Sequence, residues 1–238
     1  MARNREIGSK FDREDGREGR EIMHDRVPDD RLRLRRAVRR TRILREIGLH
    51  ARDAVATLVT APDGFGKTTL LAQRVSEVQS DAERGVARIV DAAGMDAERL
   101  YELLGDLEGR LEPRMRPLIA IDNLPTLRET AIRGFADRIR ALHEKGFELM
   151  VACRPSNRAF VQHMGDAYKV GPQALLVRPK EFSDWATMLG ISGELDVYEL
   201  TQGVPGLVAM LSVVDGRQVG VGLSPSRPHP CTERHCRS

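Results

Sequence analysis

Eight residues constrain this chain more than any others. They are Ala61-Pro-Asp-Gly-Phe-Gly-Lys-Thr68, set between an apolar run, Val55–Thr60, and an amphipathic run that opens at Thr68. Strand, glycine-rich loop and helix in that order are the context a phosphate-binding loop requires. Gly64 and Gly66 allow positive φ and let backbone approach a phosphate without a Cβ in the way. The amides from about Gly64 to Thr69 then point inward as donors, at the positive end of the following helix. Lys67, one of only five lysines in the chain, offers a compact charge for β- and γ-phosphates. The Thr68 hydroxyl offers a ligand to Mg²⁺. The loop reading therefore takes Ala61, Pro62, Asp63, Gly64, Phe65, Gly66, Lys67, Thr68 and Thr69 as nucleotide-binding positions. Ala61 stands where such loops usually begin with glycine.

Short apolar runs alternate with amphipathic ones from residue 55 onward. Strands are predicted at Val55–Thr60, Val86–Val90, Leu118–Ile121, Phe147–Ala152 and Leu175–Val177. Helices are predicted at Thr68–Val78, Ala97–Leu111, Ala131–His143, Glu181–Leu189, Val197–Thr201 and Gly206–Val214. Such alternation predicts an α/β fold, a parallel sheet flanked by helices, here of the P-loop NTPase type and followed by a small helical subdomain. The predicted organisation is a disordered charged leader at 1–30, a basic helical lead-in at 31–52, the α/β core at 53–180, a helical segment at 181–214 and a disordered tail at 215–238.

Two more strand ends carry chemistry. Pro117-Leu-Ile-Ala-Ile-Asp-Asn123 is an apolar strand closing on an acid, the form of a Walker B strand, so Asp122 is predicted to share Mg²⁺ with Thr68. The next residue, where a hydrolytic enzyme often has a second acid, is Asn123. An amide orients a water but takes no proton from it, so binding is better supported than turnover. Leu149-Met-Val-Ala-Cys-Arg-Pro155 closes on Arg154, which would lie near the phosphates because ligands of such sheets bind beyond the strands' carboxyl ends. The catalytic candidates are thus Lys67, Asp122, Asn123 and Arg154. Cys153 reads as a small buried hydrophobe. His50, His143 and His163 lack partners at ligand spacing, and Cys231, His235 and Cys236 make a poor zinc site.

Composition narrows the rest. With 41% hydrophobic residues the 238-residue chain can build a core. No apolar run approaches the ~20 residues of a membrane span. Three cysteines offer no disulfide framework, and no secretory signal opens the chain, so a cytoplasmic location is expected. The net charge of +3 is uneven: residues 1–52 hold 16 Lys/Arg against 10 Asp/Glu, while the remainder holds 22 against 25. Residues 31–45 carry eight arginines and no acid, with Leu34, Val38, Ile43 and Ile47 near helical spacing. Direct DNA binding is one reading of that run; a solvated helix or lead-in is the other, favoured because no aromatic side chains are interleaved for base stacking.

Leu58-Val-Thr-Ala-Pro-Asp-Gly-Phe-Gly-Lys-Thr-Thr-Leu-Leu-Ala-Gln73 resembles the phosphate loop of MalT-like regulators, large ATP-dependent LuxR-type activators of the STAND class of P-loop ATPases. Asp63 replaces a small residue of that pattern, and Arg74 stands where it has Trp. Val38-Arg39-Arg40-Thr41-Arg42-Ile43-Leu44 is similar to the family's lead-in, Cys153-Arg154-Pro155 to its sensor strand, and Leu200-Thr-Gln-Gly203-Val-Pro205-Gly-Leu207 to a segment whose proline faces the nucleotide. The resemblance covers residues ~27–214. It implies ATP or ADP with Mg²⁺, Arg40 near the nucleotide base, Pro205 closing over the base or ribose, and hydrolysis that is slow where it occurs. Self-association or other regulator subunits are the partners it leaves open. It leaves no room for the family's DNA-binding helix-turn-helix, so the chain reads as the nucleotide-binding module of a transcription regulator, free-standing or cut short. The competing reading is a nucleotide-loaded interaction module that never hydrolyses.

Overall fold

The computed structural model describes residues 37–82, 86–191 and 194–218. The leader at 1–30, residues 31–36 of the basic run and residues 219–238 of the tail, including the Cys231/His235/Cys236 group, lie outside the described residues.

Among the described residues there are five strands: β1 (Thr57–Thr60), β2 (Ala87–Asp91), β3 (Leu118–Leu124), β4 (Glu148–Cys153) and β5 (Tyr168–Val170). They pair in parallel throughout, in the order β2-β3-β4-β1-β5. Successive side chains point to opposite faces of a strand, and in β1, β3 and β4 both faces are buried, which is why those strands read as near-continuous apolar runs. On one face Leu58, Ile119, Ile121, Leu149 and Val151 join α3 (Ala97–Arg110), α4 (Glu129–Glu144) and the short α5 (Arg158–His163). On the other, Val59, Leu118, Ala120, Met150 and Ala152 meet α1 (Thr41–His50) and α2 (Lys67–Ser80). Helix α3 buries Leu100, Leu103, Leu104 and Leu107, and the Asp96 carboxylate caps its first turn by accepting from the Arg99 N–H at 2.8 Å.

The fifth strand is not the predicted Leu175–Val177. Pro172 starts a single helical turn, α6 (Pro172–Leu175), because its fixed φ suits a first helical position. Leu175 and Val177 are apolar because each fills a core, not because they pair in a sheet. The true edge strand, Tyr168-Lys-Val170, has only three residues and an exposed centre, too short to register as alternation. Helix α5 and the 3-10 turn Pro155–Asn157 before it were also unforeseen.

Three helices follow: α7 (Pro179–Leu189), α8 (Glu194–Thr201) and α9 (Pro205–Gln218). Val177, Phe182, Trp185, Ala186, Ile191, Val197 and Val208 form a third apolar cluster there, with Val38 packed on it. Helix α9 runs four residues into the stretch expected to be a disordered tail. The basic lead-in also departs from expectation: residues 37–40 are not helical, so Val38 packs on the third cluster while Ile43, Leu44 and Ile47 of α1 pack on the sheet. Among the described residues no helix is long and apolar enough to cross a membrane.

Candidate functional site

Strand β1 lies at the point where the order of strands reverses: the chain moves to β2 at one edge and returns to β5 at the other. Ligands of open parallel sheets bind at such a point, beyond the carboxyl ends of the strands. The loop that leaves β1 there is Ala61–Gly66. Gly64 and Gly66 adopt φ of 84° and 82°, and Gly66 caps α2 in the left-handed conformation. The predicted need for glycine at both positions is met by the backbone itself.

Lys67 opens α2 with its side chain almost buried. Its ammonium donates to the carbonyls of Ala61 at 2.9 Å and Pro62 at 3.0 Å, and lies 3.5 Å from the Asp63 carboxylate. The Thr68 hydroxyl donates to Asp122 Oδ2 at 2.6 Å, joining residues 54 positions apart. Asp122 Oδ1 accepts the N–H of Asn123 at 2.9 Å. Asn123 has φ of 53°, where the register of β3 against β4 shifts between Ile121 and Leu124. Asparagine tolerates that conformation better than most residues. Its amide Nδ2 donates to Asp91 Oδ1 at 3.0 Å, at the end of the neighbouring strand.

Burial raises the Asp122 pKa above its ordinary 3.8, against the lowering effect of the Thr68 and Asn123 hydrogen bonds. The folded-state value exceeds the unfolded one, so this carboxylate costs stability. The cost is absent below the ordinary carboxylate range and grows as pH rises through the raised value. An Asp122→Asn variant is therefore expected to melt at a higher temperature than the parent at neutral pH without nucleotide. The two should converge in acid; thermal unfolding across a pH series checks this. The variant retains both hydrogen bonds, since its Nδ2 can donate to the Thr68 oxygen.

A cavity of about 610 Å³ lies over the loop. Of the predicted positions, Arg40, Asp63, Gly64, Phe65, Gly66, Lys67, Thr68, Thr69, Asn123 and Pro205 line it. Ala61 and Pro62 lie beneath, where their carbonyls hold Lys67. Asp122 reaches the site through Thr68. Arg154 reaches it through Asp63, whose carboxylate it grips with Nη2 at 2.8 Å and Nε at 3.1 Å. That bond holds the Asp63 carboxyl below its ordinary pKa. Arg40 is buried, and its guanidinium Nη2 donates to the carbonyls of Leu176 at 2.9 Å and Ala174 at 3.3 Å. Arg42 also reaches Ala174 O, at 3.2 Å. Two arginines of the basic run are thus spent on the chain's own backbone. Arg40 Nε has no hydrogen-bond partner among the described residues. Cys153 is buried as predicted, with its thiol pKa pushed up by burial.

The sequence missed the opposite wall. Val38, Leu175, Trp185, Leu189 and Ala209 give the cavity an apolar end. Gln73 ties the lead-in to α2, accepting the Arg40 N–H at 3.0 Å and donating to Val38 O at 2.9 Å. Gly206 donates its N–H to Gly64 O at 2.7 Å, and a Cβ at Gly206 would come within 2.8 Å of the Gly64 backbone. The Pro205 ring rests over Gly66 of the loop. The first residues of α9 therefore touch the phosphate loop directly. The sequence signal for this contact was the segment Leu200–Leu207, whose proline the family resemblance turns toward the nucleotide.

A glycine loop leaving the inner strand of a five-stranded parallel sheet, with a lysine, a threonine and a strand-end aspartate gathered on it, defines the α/β P-loop NTPase fold. Known structures of this fold are similar to the chain. The RuvB Holliday junction branch migration motor of Thermotoga maritima matches 77% of it at 15% identity, with a TM-score of 0.52. A Walker-type ATPase of Pyrococcus abyssi matches 77% at 12% identity, with a TM-score of 0.54. The chain spans 64% of the RuvB structure and 69% of the other. No protein-family model and no curated protein matches the sequence.

Proposed function

We propose that this chain is an ATP-binding nucleotide switch domain of the STAND type, the module of a MalT-like LuxR-type regulator. The observation that carries the reading is the composition of the cavity: the phosphate loop forms one wall, and Pro205 and Gly206 of α9, in contact with Gly64 and Gly66, form the other. A ligand seated there touches both the α/β core and the helices after residue 178, so its phosphates bias how the two close. The size suits a nucleotide, since small-molecule sites run to roughly 300–1,000 Å³.

In this reading Lys67 leaves the carbonyls of Ala61 and Pro62 for the β- and γ-phosphates. The exposed amides of the loop take the remaining phosphate oxygens. The donor set fits Mg²⁺: Thr68 and Asp122 present two hard oxygens side by side, and the ion usually takes one or two protein ligands with phosphate and water completing its shell. Bound there, Mg²⁺ would neutralise phosphate charge. The apolar end at Val38, Leu175, Trp185 and Leu189 takes the base, with Arg40 close by; adenine is the base the family resemblance implies. Arg154 meets the γ-phosphate.

Asn123 favours a second reading, a nucleotide-loaded interaction module that does not hydrolyse. Its Nδ2 is committed to Asp91, which leaves Oδ1 as an acceptor for water but no group to take the proton. Calorimetry with Mg·ATP tests the binding reading, and absence of affinity would sink it. A single-turnover assay separates the two: ADP release supports the switch with slow hydrolysis, and intact ATP retained over hours supports the module. Asn123→Asp supplies the missing carboxylate in a residue that accepts the same φ. It is expected to speed single-turnover hydrolysis by about a hundredfold, the lower end of general-base effects. An unchanged rate would show that the missing base does not limit turnover.

A further inference from the structure

Asp63 is an acid in the middle of a loop whose backbone and lysine are built to hold anions. Its carboxylate accepts from Arg154 in a two-pronged grip, Oδ2 from Nη2 at 2.8 Å and Oδ1 from Nε at 3.1 Å, and Oδ1 lies 3.5 Å from Lys67 Nζ. One carboxylate thus engages both cations that a terminal phosphate would need. The fork of a guanidinium matches carboxylate and phosphate alike, so the two ligands are interchangeable to Arg154. We infer that Asp63 is a specificity-determining residue of the loop, its carboxylate standing in for the γ-phosphate, so that a nucleoside triphosphate binds by taking Arg154 away from it. This inference rests on the nucleotide-binding reading above.

Exposure makes the exchange feasible. The side chains of Asp63 and Arg154 are 66% and 67% exposed, and an ion pair in water is weak. It yields to a phosphate of higher charge. The buried pair of Arg74 with Glu148, only 11% and 3% exposed, has no such freedom. Asp63 also opposes a triphosphate directly, because its negative charge lines the same cavity. A diphosphate has no γ-phosphate to contest Arg154, so Asp63 penalises it less. The loop therefore sets the balance between tri- and diphosphate through one side chain.

The test is calorimetry of Mg·ATP and Mg·ADP binding to the full chain, to Asp63→Asn, to Arg154→Ala and to the double variant. Asp63→Asn is expected to tighten Mg·ATP by about five- to tenfold, the range one exposed ion pair and one removed like charge supply. Mg·ADP should tighten less than about threefold on the same grounds. In the Arg154→Ala background the preferential gain for ATP should shrink to the part the removed like charge supplies, since there is no guanidinium to release; an undiminished gain would overturn the inference. Equal gains for the two nucleotides, or weaker ATP binding by Asp63→Asn, would overturn the inference while leaving nucleotide binding intact. The latter would show that Asp63 positions Arg154 instead of competing for it. No binding of either nucleotide by any of the four proteins would overturn the nucleotide reading and this inference together. Thermal unfolding of each variant, expected to match the parent because both side chains are exposed, confirms that the comparison is between folded proteins.

Discussion

Lys67→Ala is expected to weaken Mg·ATP binding by about 10- to 150-fold, the equivalent of one charge-assisted contact of roughly 1.5–3 kcal/mol. The parent protein places this ammonium at the mouth of the loop, held by two backbone carbonyls that a phosphate can replace. Removing it deletes the one buried cation of the phosphate loop, and the neighbouring amides compensate only in part. Stability should fall by about 1–3 kcal/mol, the cost of leaving the buried Ala61 carbonyl without its donor. Thermal unfolding therefore separates loss of ligand from loss of fold. Lys67→Arg is expected to be nearly as damaging, since a planar fork does not replace a compact ammonium in this position. Calorimetric titration of both variants checks the claim, and affinity equal to the parent's would remove Lys67 from the site.

Arg74→Ala is expected to destabilise the protein by up to about 3–5 kcal/mol, the range for breaking a buried ion pair, because Glu148 loses its two-pronged guanidinium. Arg74 reaches across from α2 to the start of β4, donating Nε to Glu148 Oε1 at 2.9 Å and Nη2 to Glu148 Oε2 at 3.1 Å. Glu77 adds a weaker contact at 3.4 Å. With Arg74 removed, Glu148 keeps its place beside the sheet but loses its two-pronged donor. For a domain of this size the melting temperature should fall by about 6–20 °C. Urea unfolding gives the free energy directly. The double variant Arg74→Met/Glu148→Leu should regain most of the loss, because apolar side chains of similar volume remove both charges at once. If the double variant is as unstable as the single one, packing and not charge explains the effect.

The phosphate loop was legible because its chemistry is local. Gly64, Gly66, Lys67 and Thr68 act through backbone conformation and through contacts within one turn of helix, so their spacing along the chain is their spacing in space. The same holds for β1, β3 and β4, whose burial on both faces leaves a near-continuous run of hydrophobic residues. Asp122 was legible at one remove: its position at a strand's end told which way it faced, and the parallel pairing of β3 brought it to Thr68. Asn123 was legible as a missing acid, though not as a donor to Asp91, which depends on the register of β2 against β3. The fifth strand was misplaced because three residues carry almost no periodicity and Val177 was apolar for a different reason.

By itself, then, the sequence determined what bears on neighbours in the chain: a glycine-rich loop, most of the strands and helices around it, and the candidate residues for phosphate and Mg²⁺. Only the tertiary structure decided where distant groups end up. It gave Arg40 to backbone carbonyls at 174 and 176, Arg74 to Glu148, and Arg154 to Asp63. It also set Gly206 against Gly64. Each of these contacts joins elements remote in sequence, and its partner is chosen by how the helices pack on the sheet. A charged side chain has many possible partners in the unfolded chain; the packed core leaves it few.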